Sequence, residues 1–174
     1  MRIVFTGSHR VGKTTLAEEI AQSLSNYEFK TEPYLQLEEE GYEFSEIPTI
    51  DDYIEQFNFS IEQISDSKKD VIFDRCPLDL LAYIYAKSKT KNIAVLYQEM
   101  EEAISEIDLL IFVPIETPDL ILCQKSDLPK LRYEVNDVLQ DWIGDFSNQI
   151  LEVNGTLENR KKQVLSKIKA LKNV

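Results

Sequence analysis

A chain of 174 residues, 43% of them hydrophobic, is the size of one soluble domain with a single core. Its formal net charge of −12 argues against sequence-independent nucleic-acid binding, which depends on lysine and arginine meeting phosphates. No apolar run approaches the ~20 residues of a membrane span and no signal-peptide pattern opens the chain, so no membrane partner is expected and the expected location is cytoplasmic. Two cysteines, Cys76 and Cys123, with a single histidine argue against zinc and suit a reducing compartment.

The first element is a short apolar strand, Ile3 to Thr6 with Met1 behind it, that runs into Gly7. The stretch Gly7-Ser8-His9-Arg10-Val11-Gly12-Lys13-Thr14 then fits G-x-x-x-x-G-K-S/T, a phosphate-binding P-loop between a buried strand and a helix. Glycine at both ends permits backbone angles and a close approach that a Cβ would block. The N–H groups of the loop and of the helix start, through Thr15, would surround a phosphate with partial positive charge. In such a loop Lys13 reaches the β and γ phosphates and the Thr14 hydroxyl sits on Mg²⁺, so ATP and Mg²⁺ are the expected cofactors. Arg10 reads either as a cover over the phosphates or as a surface arginine. His9 reads as a spacer in the loop rather than an acid–base group.

Ala17, Ile20, Ala21 and Leu24 place a helix over about 12–25. Tyr27 to Thr31 is a second strand, ended by Glu32-Pro33 because proline cannot donate to a ladder. Tyr34 to Glu40 reads as a short helix stopped at Gly41. Thr49 with Asp52 forms a capping box, and Ile54, Phe57, Ile61 and Ile64 continue an amphipathic helix to about Lys68. Asp70 to Asp74 is a short buried strand, and Pro77 opens the next helix. A helix over about 92–106 precedes the strand Asp108 to Val113. The stretch 116–130 is irregular. Leu131, Val135, Val138, Leu139, Trp142 and Phe146 mark a long helix. Gln149 to Val153 is the last strand, Asn154-Gly155 turns the chain, and Thr156 caps a final helix. Five strands alternating with helices predict an α/β fold: a five-stranded parallel sheet with helices on both faces, three layers α/β/α, over a single domain 1–174.

Asp74 closes an apolar strand and would project from the carboxyl edge of the sheet, where such folds bind ligands. Its two readings are a ligand in the Mg²⁺ shell, with Thr14, or an N-cap or loop salt bridge. Arg75 would face the transferred phosphoryl group with a planar guanidinium. Glu32, at another strand end, is either the general base for a substrate hydroxyl or a carboxylate bonded to local backbone.

Gly7 to Thr14, Thr31-Glu32-Pro33-Tyr34 and Phe73-Asp74-Arg75-Cys76-Pro77 together resemble P-loop nucleoside and nucleotide kinases, and most of all deoxynucleoside kinases and ribosylnicotinamide kinase domains. The resemblance covers Met1 to about Tyr85 and the Val153-Asn154-Gly155-Thr156 turn. It implies a P-loop NTPase fold in which Glu32 supplies the base and Asp74-Arg75 contacts substrate and phosphate. It also implies that Asn154, Gly155 and Thr156 lie near the adenine. Residues 33–68 would form the helical substrate side, where Tyr34, Tyr42, Phe44, Tyr53 and Phe57 offer flat surface, and 117–132 the lid. This family carries several lid arginines; here the lid offers Lys125, Lys130 and Arg132. Arg132 is either a catalytic lid residue or a solvated residue at a helix start.

From Thr31 to Ser67 there is no lysine or arginine. A monophosphate acceptor would need positive charge there, and thymidylate kinases place an arginine before the Glu-Pro where this chain has Thr31. An uncharged hydroxyl acceptor such as a nucleoside is therefore favoured. The expected activity is ATP- and Mg²⁺-dependent transfer to that hydroxyl, the alternative a nucleotide-binding regulatory ATPase module without an acceptor. Oligomeric state is open between monomer and homodimer. Gln124-Lys125-Ser126-Asp127 looks like the guanine-reading N/T-K-x-D of GTPases, but glutamine replaces the first residue and the Asp74 strand lacks D-x-x-G.

Overall fold

The computed structural model describes residues 1–89, 92–119, 121 and 123–173. Five strands form one parallel sheet: β1 (Arg2–Thr6), β2 (Glu28–Lys30), β3 (Val71–Asp74), β4 (Leu109–Phe112) and β5 (Gln149–Glu152). Their order is β2-β3-β1-β4-β5, so the P-loop strand is central. Among the described residues seven helices accompany them, six between strands and the last after β5: α1 (Lys13–Ser23), α2 (Pro33–Glu39), α3 (Ile50–Asp66), α4 (Pro77–Lys87), α5 (Ala94–Ser105), α6 (Pro129–Trp142) and α7 (Leu157–Lys172). The expected α/β fold with a five-stranded parallel sheet is the one observed.

The period-two alternation of the strands divides the core between two faces. Ile3, Phe5, Ile72, Leu109 and Ile111 face Leu16, Ile20, Val164 and Ile168 of α1 and α7. Val4, Val71, Phe73, Leu110 and Phe112 face the larger layer of α3, α4, α5 and α6. Strands buried on both sides read as continuous apolar runs, as DVIFD and DLLIFV do. Phe57 and Ile64 of α3 are buried in the larger layer, each worth ~1.5–3 kcal/mol relative to exposure. The helix expected on the substrate side thus contributes to the main core.

Local signals fix the element starts. Thr49 accepts from the Asp52 N–H at 3.2 Å, and Asp52 Oδ2 accepts from the Thr49 N–H at 2.7 Å, which is the expected capping box. Pro77 stands in the first turn of α4 and Pro33 in that of α2. The long helix differs from expectation at both ends. It starts at Pro129, and it stops at Trp142 before the 3-10 turn Ile143–Asp145, because Gly144 lowers helix propensity there.

Register positions the functional ends. Phe5 pairs with Asp74 and Thr6 with Phe112, so the carboxyl ends of β1, β3 and β4 lie side by side. Of the expected lid, 117–132, residues 120 and 122 lie outside the described residues.

Candidate active site

The loop starts from a glycine that nothing else could replace. Gly7 has φ of 148°, and a Cβ built there would stand 2.4 Å from the Val113 carbonyl oxygen. Its N–H donates to Asp79 Oδ1 at 2.7 Å, and the Thr6 hydroxyl donates to the same oxygen at 3.1 Å. The other Asp79 oxygen accepts the Cys76 N–H at 3.0 Å. One fully buried carboxylate thus caps α4 and ties it to the start of the loop.

Lys13 is buried and donates from Nζ to the Ser8 carbonyl at 2.8 Å, across the mouth of the loop. Burial, with Arg75 nearby, pulls its pKa down to about 8. Thr14 and Thr15 stand exposed at the start of α1. Asp74 is buried at the end of β3, and its Oδ1 has no hydrogen-bond partner among the described residues. Among the described residues it forms neither an N-cap bond nor a salt bridge. Desolvation raises its pKa, while Lys13 and the Thr14 hydroxyl oppose that rise. An orphaned buried carboxylate oxygen beside a threonine hydroxyl suits one hard cation, Mg²⁺ with its remaining positions on water and phosphate. Among the described residues no cluster of three or more His, Cys, Asp or Glu could hold a metal on its own.

Arg75 follows Asp74 with φ of 84°, a left-handed conformation that costs a non-glycine residue ~1–3 kcal/mol. The turn delivers its guanidinium to Glu32, with Nε donating to Oε2 at 3.2 Å, and over the Tyr83 ring at 5.5 Å. Burial would lower its pKa, but Tyr83, Glu32, Asp79 and Asp74 together hold it above the ordinary range. Glu32 therefore bonds a distant arginine, not its local backbone. Tyr53 and Phe57 are core, with Tyr53 stacked on Tyr83 at 4.8 Å. Tyr34, Tyr42 and Phe44 are half-buried; Tyr34 stacks on Phe44 with centroids 4.3 Å apart, and Tyr42 meets the same ring at a tilt at 4.6 Å.

The segment after β4 clasps the loop. The His9 N–H donates to Tyr83 Oη at 2.8 Å, Nδ1 meets the same hydroxyl at 2.7 Å, and Nε2 meets the Asp127 carbonyl. Burial lowers the His9 pKa to about 4. Arg10 pairs with Asp127 at 2.8 Å. The Gln124–Asp127 segment therefore sits on the loop through Asp127, whose Oδ2 also accepts the Gln124 N–H. Arg132 is 1% exposed, which rules out a solvated residue. Its Nε donates to the His9 carbonyl at 3.0 Å and Nη2 to the Arg10 carbonyl at 3.3 Å, while Asp119 accepts from both Nη atoms. At the Asn154-Gly155-Thr156 turn, the Gly155 N–H donates to Glu116, and Thr156 caps α7. A cavity of about 380 Å³ opens between this turn and residues 114–117. A cavity of about 720 Å³ between α3 and α5 contains none of these residues.

A protein-family model described as an AAA domain matches residues 2–160. The chain belongs to this AAA domain family. None of the curated proteins matches it. Solved structures similar to this AAA domain protein include deoxyadenosine kinase from M. mycoides with bound dATP, at 17% identity and a TM-score of 0.67, over 97% of this chain and 99% of that one. Thymidylate kinase from Ehrlichia chaffeensis is similar at 16% identity and a TM-score of 0.69, over 97% and 98%. NadR protein in complex with NR is similar at 18% identity and a TM-score of 0.67, over 95% of this chain and 48% of that one. At these identities the likeness is one of fold, the P-loop kinase fold.

Three residues of the AAA domain site were not singled out from sequence: Asp79, Tyr83 and Arg160. Asp79 carried a signal, an acidic third residue after Cys76-Pro77 at a helix start. Tyr83 stands between apolar residues of α4 and carries no separate signal. Arg160 opens the basic run Arg160 to Lys162, and such a run usually marks a solvated face. It instead donates to the Val11 carbonyl at 2.8 Å and to Glu116 at 2.9 Å.

Proposed function

We propose that this protein transfers the γ-phosphoryl group of ATP to a hydroxyl of a small nucleoside-like molecule. The observation that carries the reading is the Glu32–Arg75 pair at 3.2 Å, set at the end of β3 beside Asp74 and the P-loop. A P-loop that only binds nucleotide has no need of a carboxylate held there by an arginine.

In this reading Glu32 accepts the proton of the acceptor hydroxyl as its oxygen attacks the γ-phosphorus. Arg75 holds the Glu32 carboxylate in place and presents its remaining N–H groups to the phosphoryl oxygens. Lys13 exchanges the Ser8 carbonyl for the β and γ phosphates, whose charge restores the proton affinity that burial takes away. Thr14 and Asp74 would hold Mg²⁺, which supplies charge neutralisation on the phosphate oxygens. The cavity between Glu116 and the Asn154–Thr156 turn is where the nucleotide base would lie. A substrate-side region, 31–67, without a single cationic side chain supports a neutral acceptor over a monophosphate.

ADP release with Mg²⁺-ATP against a panel of nucleosides and nucleoside monophosphates tests the reading. At least one nucleoside is expected to accelerate release over basal hydrolysis. Acceleration by monophosphates alone overturns the neutral acceptor.

One observation favours a second reading, a regulatory ATPase module. Arg132 is committed to loop carbonyls and Asp119, so the described lid has no arginine to give to the phosphates and offers only the exposed Lys125 and Lys130. ATP hydrolysis that no acceptor in the panel accelerates is the result this reading expects.

A further inference from the structure

The three middle carbonyls of the P-loop are all held from outside the loop. Arg132 of α6 takes those of His9 and Arg10, and Arg160 of α7 takes that of Val11. Both side chains are nearly buried, at 1% and 13% exposure. Each guanidinium is oriented in turn by a carboxylate. Asp119 grips both Nη atoms of Arg132, which holds the Asp119 pKa down at about 2. Glu116 receives Arg160 Nη2 and the Gly155 N–H, and both bonds lower its pKa.

A trans peptide is planar, so the carbonyl of one residue and the N–H of the next point in opposite directions. Carbonyls of residues 9, 10 and 11 held by arginines therefore turn the N–H groups of Arg10, Val11 and Gly12 the other way. Those three N–H groups make no backbone or side-chain hydrogen bond among the described residues, whereas the N–H groups of Gly7 and His9 are taken by Asp79 and Tyr83. Arg10 and Gly12 lie at φ of 54° and 87°, the left-handed steps that make successive N–H groups converge on an anion. Glycine takes that conformation freely; arginine does not, and needs outside restraint.

We propose that Arg132 and Arg160 are positioning residues of the P-loop, two guanidinium staples that hold its carbonyls outward so that its N–H groups meet the phosphates. This assigns Arg132 away from the lid. Of its five N–H donors one is uncommitted, too few for a bidentate grip on phosphate. It also assigns a role to Arg160, which lies outside the P-loop motif. The proposal concerns anion binding alone and stands whether or not an acceptor exists.

The test uses the full chain, ¹⁵N relaxation of the ligand-free protein, and titration with inorganic tripolyphosphate. In Arg132→Met and Arg160→Met, the order parameters of the Arg10, Val11 and Gly12 amides are expected to fall from ~0.85 to below ~0.6, with β1 and α1 unchanged. The tripolyphosphate Kd is expected to rise ~10-fold or more, the scale of losing hydrogen bonds to a charged group. Arg132→Lys, which keeps charge but loses the fork, is expected to behave like Arg132→Met, and it serves if the methionine variant does not fold. Weaker tripolyphosphate binding with unchanged loop order overturns the proposal, because the arginines then act on the anion directly. Unchanged order and affinity in folded variants overturn it as well. A wild-type chain that ignores tripolyphosphate removes the catalytic reading, while the relaxation data still decide the staples.

Discussion

Arg75 and Glu32, 43 residues apart in sequence, meet at 3.2 Å because a left-handed turn at Arg75 bends the chain back from the end of β3 toward the end of β2. The pair has opposite consequences for its two members. The ion pair fixes the direction of the Glu32 carboxylate, and in the proposed transfer it would let Glu32 take a proton while Arg75 offers its other N–H groups to the phosphoryl group. Glu32→Gln preserves shape and a polar contact while removing the base. We expect kcat for transfer to fall ~10²–10⁴-fold, with ATP affinity, read by calorimetry, within about threefold of wild type. Full turnover in this variant would remove Glu32 from the chemistry.

Asp74 is the counterpart on the metal side. Asn is nearly isosteric but neutral, so Asp74→Asn is expected to raise the Mg²⁺ concentration needed for half-maximal activity ~10-fold or more. ATP binding in EDTA is expected to change little or to tighten, because a negative charge near the phosphates is gone. A Mg²⁺ dependence identical to wild type would leave Asp74 as a structural carboxylate only.

Gly7 and Asp79 anchor the loop, and their variants separate backbone from side chain. Gly7→Ala would drive a Cβ to 2.4 Å from a backbone oxygen that β4 holds in place. Asp79→Asn replaces with an amide the oxygen that accepts from both Gly7 and Thr6, or the one that accepts from Cys76. Each is expected to cost ~1–3 kcal/mol, a fall in Tm of several degrees for a domain of this size. Only Gly7→Ala is also expected to abolish nucleotide binding, since it moves the loop itself. A thermal melt with and without ATP checks both.

Much of this molecule was legible in the sequence. The parallel sheet followed from apolar runs such as DLLIFV, the starts of α3 and α4 from Thr49-x-x-Asp52 and Pro77, and the loop from Gly7 to Thr14. These signals are local: spacing, propensity and capping act over a few residues. The clasp around the loop was not legible, because each bond in it joins residues far apart. Arg132 to His9 spans 123 residues, Arg160 to Val11 spans 149, and His9 to Tyr83 spans 74. Nothing in the neighbours of Arg160 separates it from Lys161 and Lys162 beside it; only the meeting of α7 with the P-loop does.

His9 gives a pH signature. The Tyr83 hydroxyl takes the His9 N–H and gives its proton to Nδ1, so Nε2 carries the hydrogen that meets the Asp127 carbonyl. Protonation would place a second donor against Tyr83, beside Arg75 and Lys13, and burial already opposes it; the pKa falls to about 4. An unfolded histidine titrates near 6.5, so between about pH 6.5 and 4 the unfolded chain binds more protons. Stability is therefore lost as pH falls through that window, by at most ~1.4 kcal/mol per pH unit and less where solvent screens the ring. His9→Asn keeps a polar side chain but does not titrate. Its Tm is expected to be lower than wild type at pH 7, with the gap narrowing by several degrees by pH 4.5. A constant gap across that range would mean that His9 is protonated in the folded protein as readily as in water.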